Sequence, residues 1–375
     1  MTGTDGAGAR LGERKARMLL ARIAEPYDDV VRRLVATYGV LDLVGYAIHD
    51  GRTPDGVGLE RLRTRLPRAQ AVDDDQICRA LGLRVLTPED ADWPTGLDDL
   101  EDPPWCLWVR GPAAPADWAG RSVALVGARA STAYGDEVAT RMAFELAERG
   151  FAVVSGAAYG IDAAAHRGAL RAGGTTVAVL AGGVDVPYPR ANAGLLSGIA
   201  DTGCVLSETP PGGAPARMRF LARNRIIAAV TPGTVVVEAN VRSGARTTAK
   251  IARELGRHHM AVPGPVTSVM SSGCHEEVRL GATLVTDAAE VAELVGRIGD
   301  DLAPVRRGEV RPEDGLPEET KRVWQWLRPR ASVSVDELMV RAGLGVSDVL
   351  VALCELEERG LAEQLLDGWR RAGGR

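Results

Sequence analysis

The stretch 121–166, RSVALVGARASTAYGDEVATRMAFELAERGFAVVSGAAYGIDAAAH, limits the possible architecture more than any other part of the chain. An unbroken apolar run from Val123 to Val126 leads into the glycine turn Gly127-Ala128-Arg129. Apolar residues then recur at Val138, Met142 and Leu146, the spacing of one helix face. A second apolar run, 151–154, meets another glycine loop, Ser155-Gly156-Ala157-Ala158-Tyr159-Gly160, ahead of a second helical stretch. This order predicts a βαβ unit with two glycine loops at the carboxyl ends of neighbouring parallel strands. That edge is where open α/β sheets bind ligands.

The alternation continues downstream. Apolar runs at 175–180, 204–207, 234–238, 260–262 and 284–286 read as strands, with helices between them, notably 243–255 and 288–295. The expectation is an α/β domain with a parallel, doubly wound sheet over 121–298. Upstream, 1–85 reads as a small helical domain whose apolar contacts include Leu19, Leu20, Ile23, Val30, Val31 and Leu34. A connector dense in Pro and Trp, 86–120, follows, and Trp93, Trp105 and Trp108 are expected to staple it to the sheet. A polar linker, 299–316, then leads to a C-terminal domain, 317–375. Helices at 320–327, 335–342 and 347–359 and a terminal hairpin give this last domain the rhythm of a winged helix. Its third helix carries Asp348, Glu355, Glu357 and Glu358, so phosphate repulsion favours a protein contact over insertion into a DNA groove.

A chain of 375 residues exceeds what one hydrophobic core organises. The N-terminus lacks the apolar core of a secretory signal and no run approaches a membrane span, so a cytoplasmic location without membrane contact is expected. Five scattered cysteines, never spaced CxxC, read as reduced core residues. The net charge of −5 argues against a general nucleic-acid binder, yet the cations recur specifically after strands. Arg129 lies in the first glycine loop, Arg190 in GGVDVPYPRAN, and Arg217, Arg219, Arg223 and Arg225 in MRFLARNRII; Arg242, Arg246 and Lys250 follow TVVVEAN. Guanidinium forks facing glycine-rich backbone amides make an anion-binding rim on an acidic body.

Enzymatic signals are weaker. GARASTAYG lacks the GxGxxG pattern, no acid stands where a dinucleotide ribose needs one, and GARTTAK lacks the GK[ST] ending of a triphosphate loop. His166 reads as a core histidine, and Cys274-His275 and His258-His259 have no partner at ligand spacing. No catalytic residue, metal or cofactor is expected. PGTVVVE, 232–238, resembles the PGGxGTxxE motif of the lysine-decarboxylase-like nucleotide phosphoribohydrolases. Glu238 is displaced by one residue, which turns it to the other face of its strand.

An ordered series of motifs closely resembles the DprA/Smf family of bacterial DNA-processing proteins. The series runs VGARASTAYG, SGAAYGIDAAAH, AVLAGGVDVPYPRAN, VLSETPPG, FLARNRIIA, VVVEANVRSGARTTAKIA, AVPGPV, SGCHEEVRLGATLV. The resemblance implies an extended Rossmann-like domain with a helical N-terminal domain and a winged-helix tail. It implies a non-catalytic homodimer that binds and protects single-stranded DNA and loads RecA recombinase onto it in natural transformation or homologous recombination. The family's arginine after VG falls on Arg129, its basic position in the YP loop on Arg190, and its RNR cluster on Arg223, Asn224 and Arg225. Gly127, Gly156 and Gly160 would let the backbone approach phosphates. Where many members read SGSLITA this chain has SGARTTA, placing Ser243, Gly244 and Arg246 at the rim with Arg242 and Lys250. With only Phe220 and Tyr188 accompanying the cations, backbone electrostatics should dominate over base stacking. Two other readings stay open: a nucleotide monophosphate hydrolase using Glu238, and a protein-interaction hub without nucleic-acid affinity.

Overall fold

The computed structural model describes residues 5–305 and 311–372, with side chains from Gly12 onward, so the middle of the expected linker, 306–310, lies outside them. The chain forms two compact units, Met1–Ala303 and Pro304–Arg375. The first begins with five helices, α1 (Asp5–Ile23), α2 (Asp29–Tyr38), α3 (Val40–His49), α4 (Glu60–Gln70) and α5 (Asp74–Leu81). Leu20, Ile23, Leu43, Val44, Leu62 and Leu66 converge into a core of their own. Gly82, left-handed at φ 61°, stops α5 by offering its N–H to Cys78 O, the turn that glycine makes without steric cost.

Nine strands of the described residues then build one sheet. They are β1 (Leu83–Leu86), β2 (Leu107–Arg110), β3 (Ser122–Gly127), β4 (Ala152–Ser155), β5 (Thr176–Val179), β6 (Cys204–Ser207), β7 (Gly233–Glu238), β8 (His258–Ala261) and β9 (Thr283–Leu284). Their spatial order is β1-β2-β6-β5-β4-β3-β7-β8-β9, parallel from β6 through β9 and antiparallel at β1, β2 and the β2–β6 pair. Alternation along β3 explains why both faces must be covered. Val123 and Leu125 face α7 (Ala133–Glu148), α8 (Ile161–Arg171) and α13 (Ala288–Val295), while Ala124 and Val126 face α10 (Arg217–Ala229) and α11 (Ala245–Glu254). A short α6 (Pro115–Trp118), α9 (Ala193–Thr202) and α12 (Ser272–Arg279) complete the layers.

β1 and β2 were not anticipated. Each is four residues long, and the connector that holds β2 reads as irregular because of its prolines. Pairing with β6 turns it into an antiparallel extension of the sheet. Trp93 and Trp108 are buried against the sheet, whereas Trp105 packs on the core of the N-terminal helices.

The second unit comprises α14 (Glu318–Trp326), α15 (Val335–Ala342), α16 (Val346–Glu358) and the hairpin of β10 (Ala362–Leu365) with β11 (Gly368–Arg371), a winged helix. Ser334 caps α15 by accepting from Glu337 N at 3.2 Å. Val323, Leu338, Leu353, Leu356 and Trp369 fill its core. Cys354, expected in a core, is exposed on α16, while Cys106, Cys204 and Cys274 are buried. Among the described residues no helix is long and apolar enough to cross a membrane.

Candidate nucleic-acid interface

The chain leaves β3, lays down β4, β5 and β6 on one side, and returns to place β7 on the other. Loops leaving β3 and β7 therefore diverge, which opens a crevice at the carboxyl edge. A cavity of about 720 Å³ occupies it, walled by the loop 127–130, the start of α10 from Pro215 to Phe220, and the segment from Asn240 to Thr248 that leads into α11.

The two glycine loops interlock beneath this cavity. A Cβ on Gly160, at φ 71°, would lie 2.3 Å from Ala128 O, so a side chain there would force the loops apart. Ile161 N donates to Ala128 O at 3.2 Å, and Asn192 Nδ2 reaches back to Ala157 O at 2.9 Å. Gly160 thus lets the two loops pack against each other. Gly156 has a different constraint: its Cβ would fall 1.8 Å from Arg223 Nη1. It makes room for the Arg223 guanidinium.

Glu238, the residue on which the hydrolase reading depends, is sealed below the first loop. Its carboxylate accepts from Thr132 N and Thr132 Oγ1, both at 2.8 Å, and so anchors the N-terminus of α7. It does not line the cavity.

The cations divide into two groups. Arg129, Arg190, Arg217 and Arg242 are exposed, on loops or helix starts after β3, β5, β6 and β7, and make no ion pair among the described residues. Arg129 lies over the Phe220 ring at 4.9 Å, and Phe220 packs against Tyr188 with centroids 5.5 Å apart. Exposed Tyr159 joins these two aromatics on the same edge, a residue the sequence reading passed over inside its glycine loop. Ser243 and Gly244 line the cavity at the start of α11. Lys250 is solvent-facing, with a loose pair to Glu254 at 3.6 Å.

The remaining arginines are committed elsewhere. Arg225 is buried, forking onto Glu208 with Nη1 and Nη2 both at 2.7 Å and donating from Nε to Asp102 O at 2.8 Å. Tyr27 covers it at 5.0 Å. Arg219 is bidentate to Glu25 of the N-terminal helices, at 3.0 Å on both contacts. Arg246, expected at the rim, turns away to the buried Glu277 and to Val241 O. Each found a carboxylate distant in sequence, so none is available to a ligand at the rim. Arg223 and Asn224 line the cavity but are buried, and Asn224 Oδ1 accepts from Arg223 Nε at 3.1 Å.

Asp162 and His166 are two further buried titratable groups, both on α8. Asp162, at the start of α8, lines the cavity with Oδ2 accepting from Gly156 N at 3.2 Å and Ala158 N at 3.3 Å. Burial raises its pKa, against the opposing pull of the Arg223 charge. His166 contacts Thr176 Oγ1 at 2.7 Å through Nδ1, and that hydroxyl gives its single proton to Val153 O. Nδ1 must therefore be the protonated nitrogen, leaving Nε2 buried and without a partner. Burial pushes the His166 pKa down to about 3, so the ring is neutral and structural.

Comparison with known proteins places this geometry. Residues 84–296 match the model of the family DNA recombination-mediator protein A, and residues 308–368 match the DprA winged helix domain. A DprA-type DNA processing protein of Mycobacterium tuberculosis is 44% identical over 375 residues, covering 96% of this chain and 95% of that one. DNA processing protein A of Streptococcus pneumoniae superposes with a TM-score of 0.59 at 30% identity, over 75% of this chain and 95% of that one. The Helicobacter pylori protein, whose structure concerns its single-stranded DNA binding mode, superposes with a TM-score of 0.51 at 29% identity, over 56% and 94%. With its sheet, crevice and winged helix all accounted for, the chain belongs to the DprA/Smf family of DNA recombination-mediator proteins.

Proposed function

We propose that the chain binds single-stranded DNA along the carboxyl edge of its sheet, with Arg129, Arg190, Arg217 and Arg242 as the phosphate contacts. The observation that carries this reading is that these four exposed arginines stand after four strands on the carboxyl edge of the sheet, Arg129 and Arg217 in the wall of its crevice, without carboxylate partners among the described residues. An exposed guanidinium row costs self-repulsion that a polyanion relieves. Tyr159, Tyr188 and Phe220 beside it offer faces on which bases stack without sequence preference. The binding mode named for the Helicobacter pylori relative supports the same ligand.

The wider role belongs to the same proposal. The chain acts in the cytoplasm as a homodimer that protects the strand and passes it to RecA, without catalysing a reaction or holding a cofactor. In this division of labour 121–298 carries the strand, 1–85 and 86–120 brace it, and 317–375, beyond the linker 299–316, contacts protein. The sequestration of Glu238 by Thr132 disfavours the hydrolase alternative.

The test is binding of a fluorescent single-stranded oligonucleotide across a salt series, against duplex of equal length. Strong, salt-sensitive preference for the single strand, lost in Arg129→Ala with Arg217→Ala, is expected. Absence of binding at low salt overturns the proposal and brings the protein-hub reading forward.

A further inference from the structure

The floor of the crevice holds a charge that the rim does not explain. Arg223 is only 6% exposed. Its Nη1 donates to two carbonyls at the carboxyl ends of neighbouring strands, Gly156 O at 2.7 Å and Val179 O at 2.8 Å, and its Nε donates to Asn224 Oδ1. A guanidinium has five donors, so the two on Nη2 remain, and no acceptor meets them among the described residues. No carboxylate stands within ion-pair distance of this group among those residues. Asp162 attracts it from farther off, with Oδ2 held by two backbone amides, while Arg129 repels it. Buried cations are normally paired. This one instead lines an accessible cavity whose wall carries Arg129 and Arg217.

We propose that Arg223 is the seat for a phosphate monoester, carried either by the end of a single strand or by a free nucleoside monophosphate. For the first source the inference rests on the strand-binding reading above; for the second it stands independently. Geometry separates the monoester from an internal diester. A diester has two chain bonds, so reaching so enclosed a guanidinium means taking the strand in and out again. A monoester has one and enters end-on. Charge separates them too, because a monoester carries close to two negative charges near neutral pH against one for a diester. The cations Arg129, Arg217 and Arg223 outnumber the one carboxylate in the cavity wall. About 720 Å³ is within the range of pockets that enclose a small ligand and holds one nucleotide unit. Gly156 belongs to the device, since any side chain there would displace the Arg223 guanidinium.

The test uses the full chain in two arms. In the first, oligonucleotides of one sequence bearing a 5′-phosphate, a 3′-phosphate or hydroxyl ends, and a circle of equal length, compete for binding. One of the phosphorylated ends is expected to bind roughly ten- to a hundred-fold tighter than the hydroxyl-ended strand, the gain of a charge-assisted hydrogen bond, and the circle to behave like the hydroxyl-ended strand. In the second, thymidine monophosphate is expected to raise the melting temperature where thymidine does not. Arg223→Lys, which keeps the charge but loses the fork, should bring the phosphorylated-to-hydroxyl ratio to about one with circular dichroism unchanged. The wild-type arms decide the matter if that variant fails to fold. Tight strand binding with no response to end phosphate or to the monophosphate overturns the seat and leaves the strand reading standing. A melting shift with monophosphate but no strand binding supports the seat and overturns the strand reading; no response in either arm overturns both.

Discussion

Removing Glu208 tests the distinction between rim and buried arginines most directly. Arg225 is 3% exposed, and its two terminal nitrogens give their paired hydrogen bonds to the Glu208 carboxylate at 2.7 Å. Glu208→Ala leaves the guanidinium desolvated, with only the carbonyls of Asp102 and Ala222 as direct acceptors. Stripping one partner from a buried pair costs about 3–5 kcal/mol, because the surviving charge is unpaired rather than because the pair itself is worth that much. The urea midpoint of the native chain against Glu208→Ala measures this loss. Glu208→Leu with Arg225→Met, which removes both charges and keeps the volume, should recover most of it. A loss below about 1 kcal/mol would refute the reasoning, since it would mean that water reaches Arg225 and that this arginine belongs to the binding surface after all.

Other outcomes follow from the same geometry. Arg129→Ala with Arg217→Ala should leave stability within about 0.5 kcal/mol and lower the salt slope of single-strand binding by about 1.4, two phosphate contacts at about 0.7 each. Gly156→Ala should lower the free energy of urea unfolding by about 1–3 kcal/mol, because its Cβ would fall 1.8 Å from Arg223 Nη1 and the displaced guanidinium gives up its bonds to Gly156 O and Val179 O. His166 has a folded pKa of about 3 against 6.5 when unfolded, so its contribution is complete above pH 6.5 and is lost as pH falls toward 3. At pH 5 that loss is about 2 kcal/mol, and His166→Asn should unfold with a correspondingly flatter pH dependence between 7 and 5.

The loops and the burial pattern show how far the sequence reached. β3, α7, β4 and α8 lie where apolar runs and helical spacing predicted them, because each signal is local and repeated. The four exposed arginines stand on loops or helix starts after β3, β5, β6 and β7. By contrast, RMRFLARNRIIAA carries arginine at four positions whose spacing singles out no helix face, and the fold buries 222–229 entirely, including Arg223 and Arg225. Asp162 and Tyr159 were legible only as parts of a motif, since nothing local shows that one lies on the floor and the other on the edge of a crevice.

The sequence alone determined that a doubly wound sheet would form, that glycine loops would cluster at its carboxyl edge, and which loops would carry cations. These follow from periodicity and chain direction within a few tens of residues. Tertiary structure alone decided which cations are neutralised. The partners of Arg225, Arg219 and Arg246 lie 17, 194 and 31 residues away, at Glu208, Glu25 and Glu277. No local pattern encodes such pairings, and electrostatic availability depends on them: an arginine at the end of a strand binds a ligand only if the folded chain has not already given it a carboxylate.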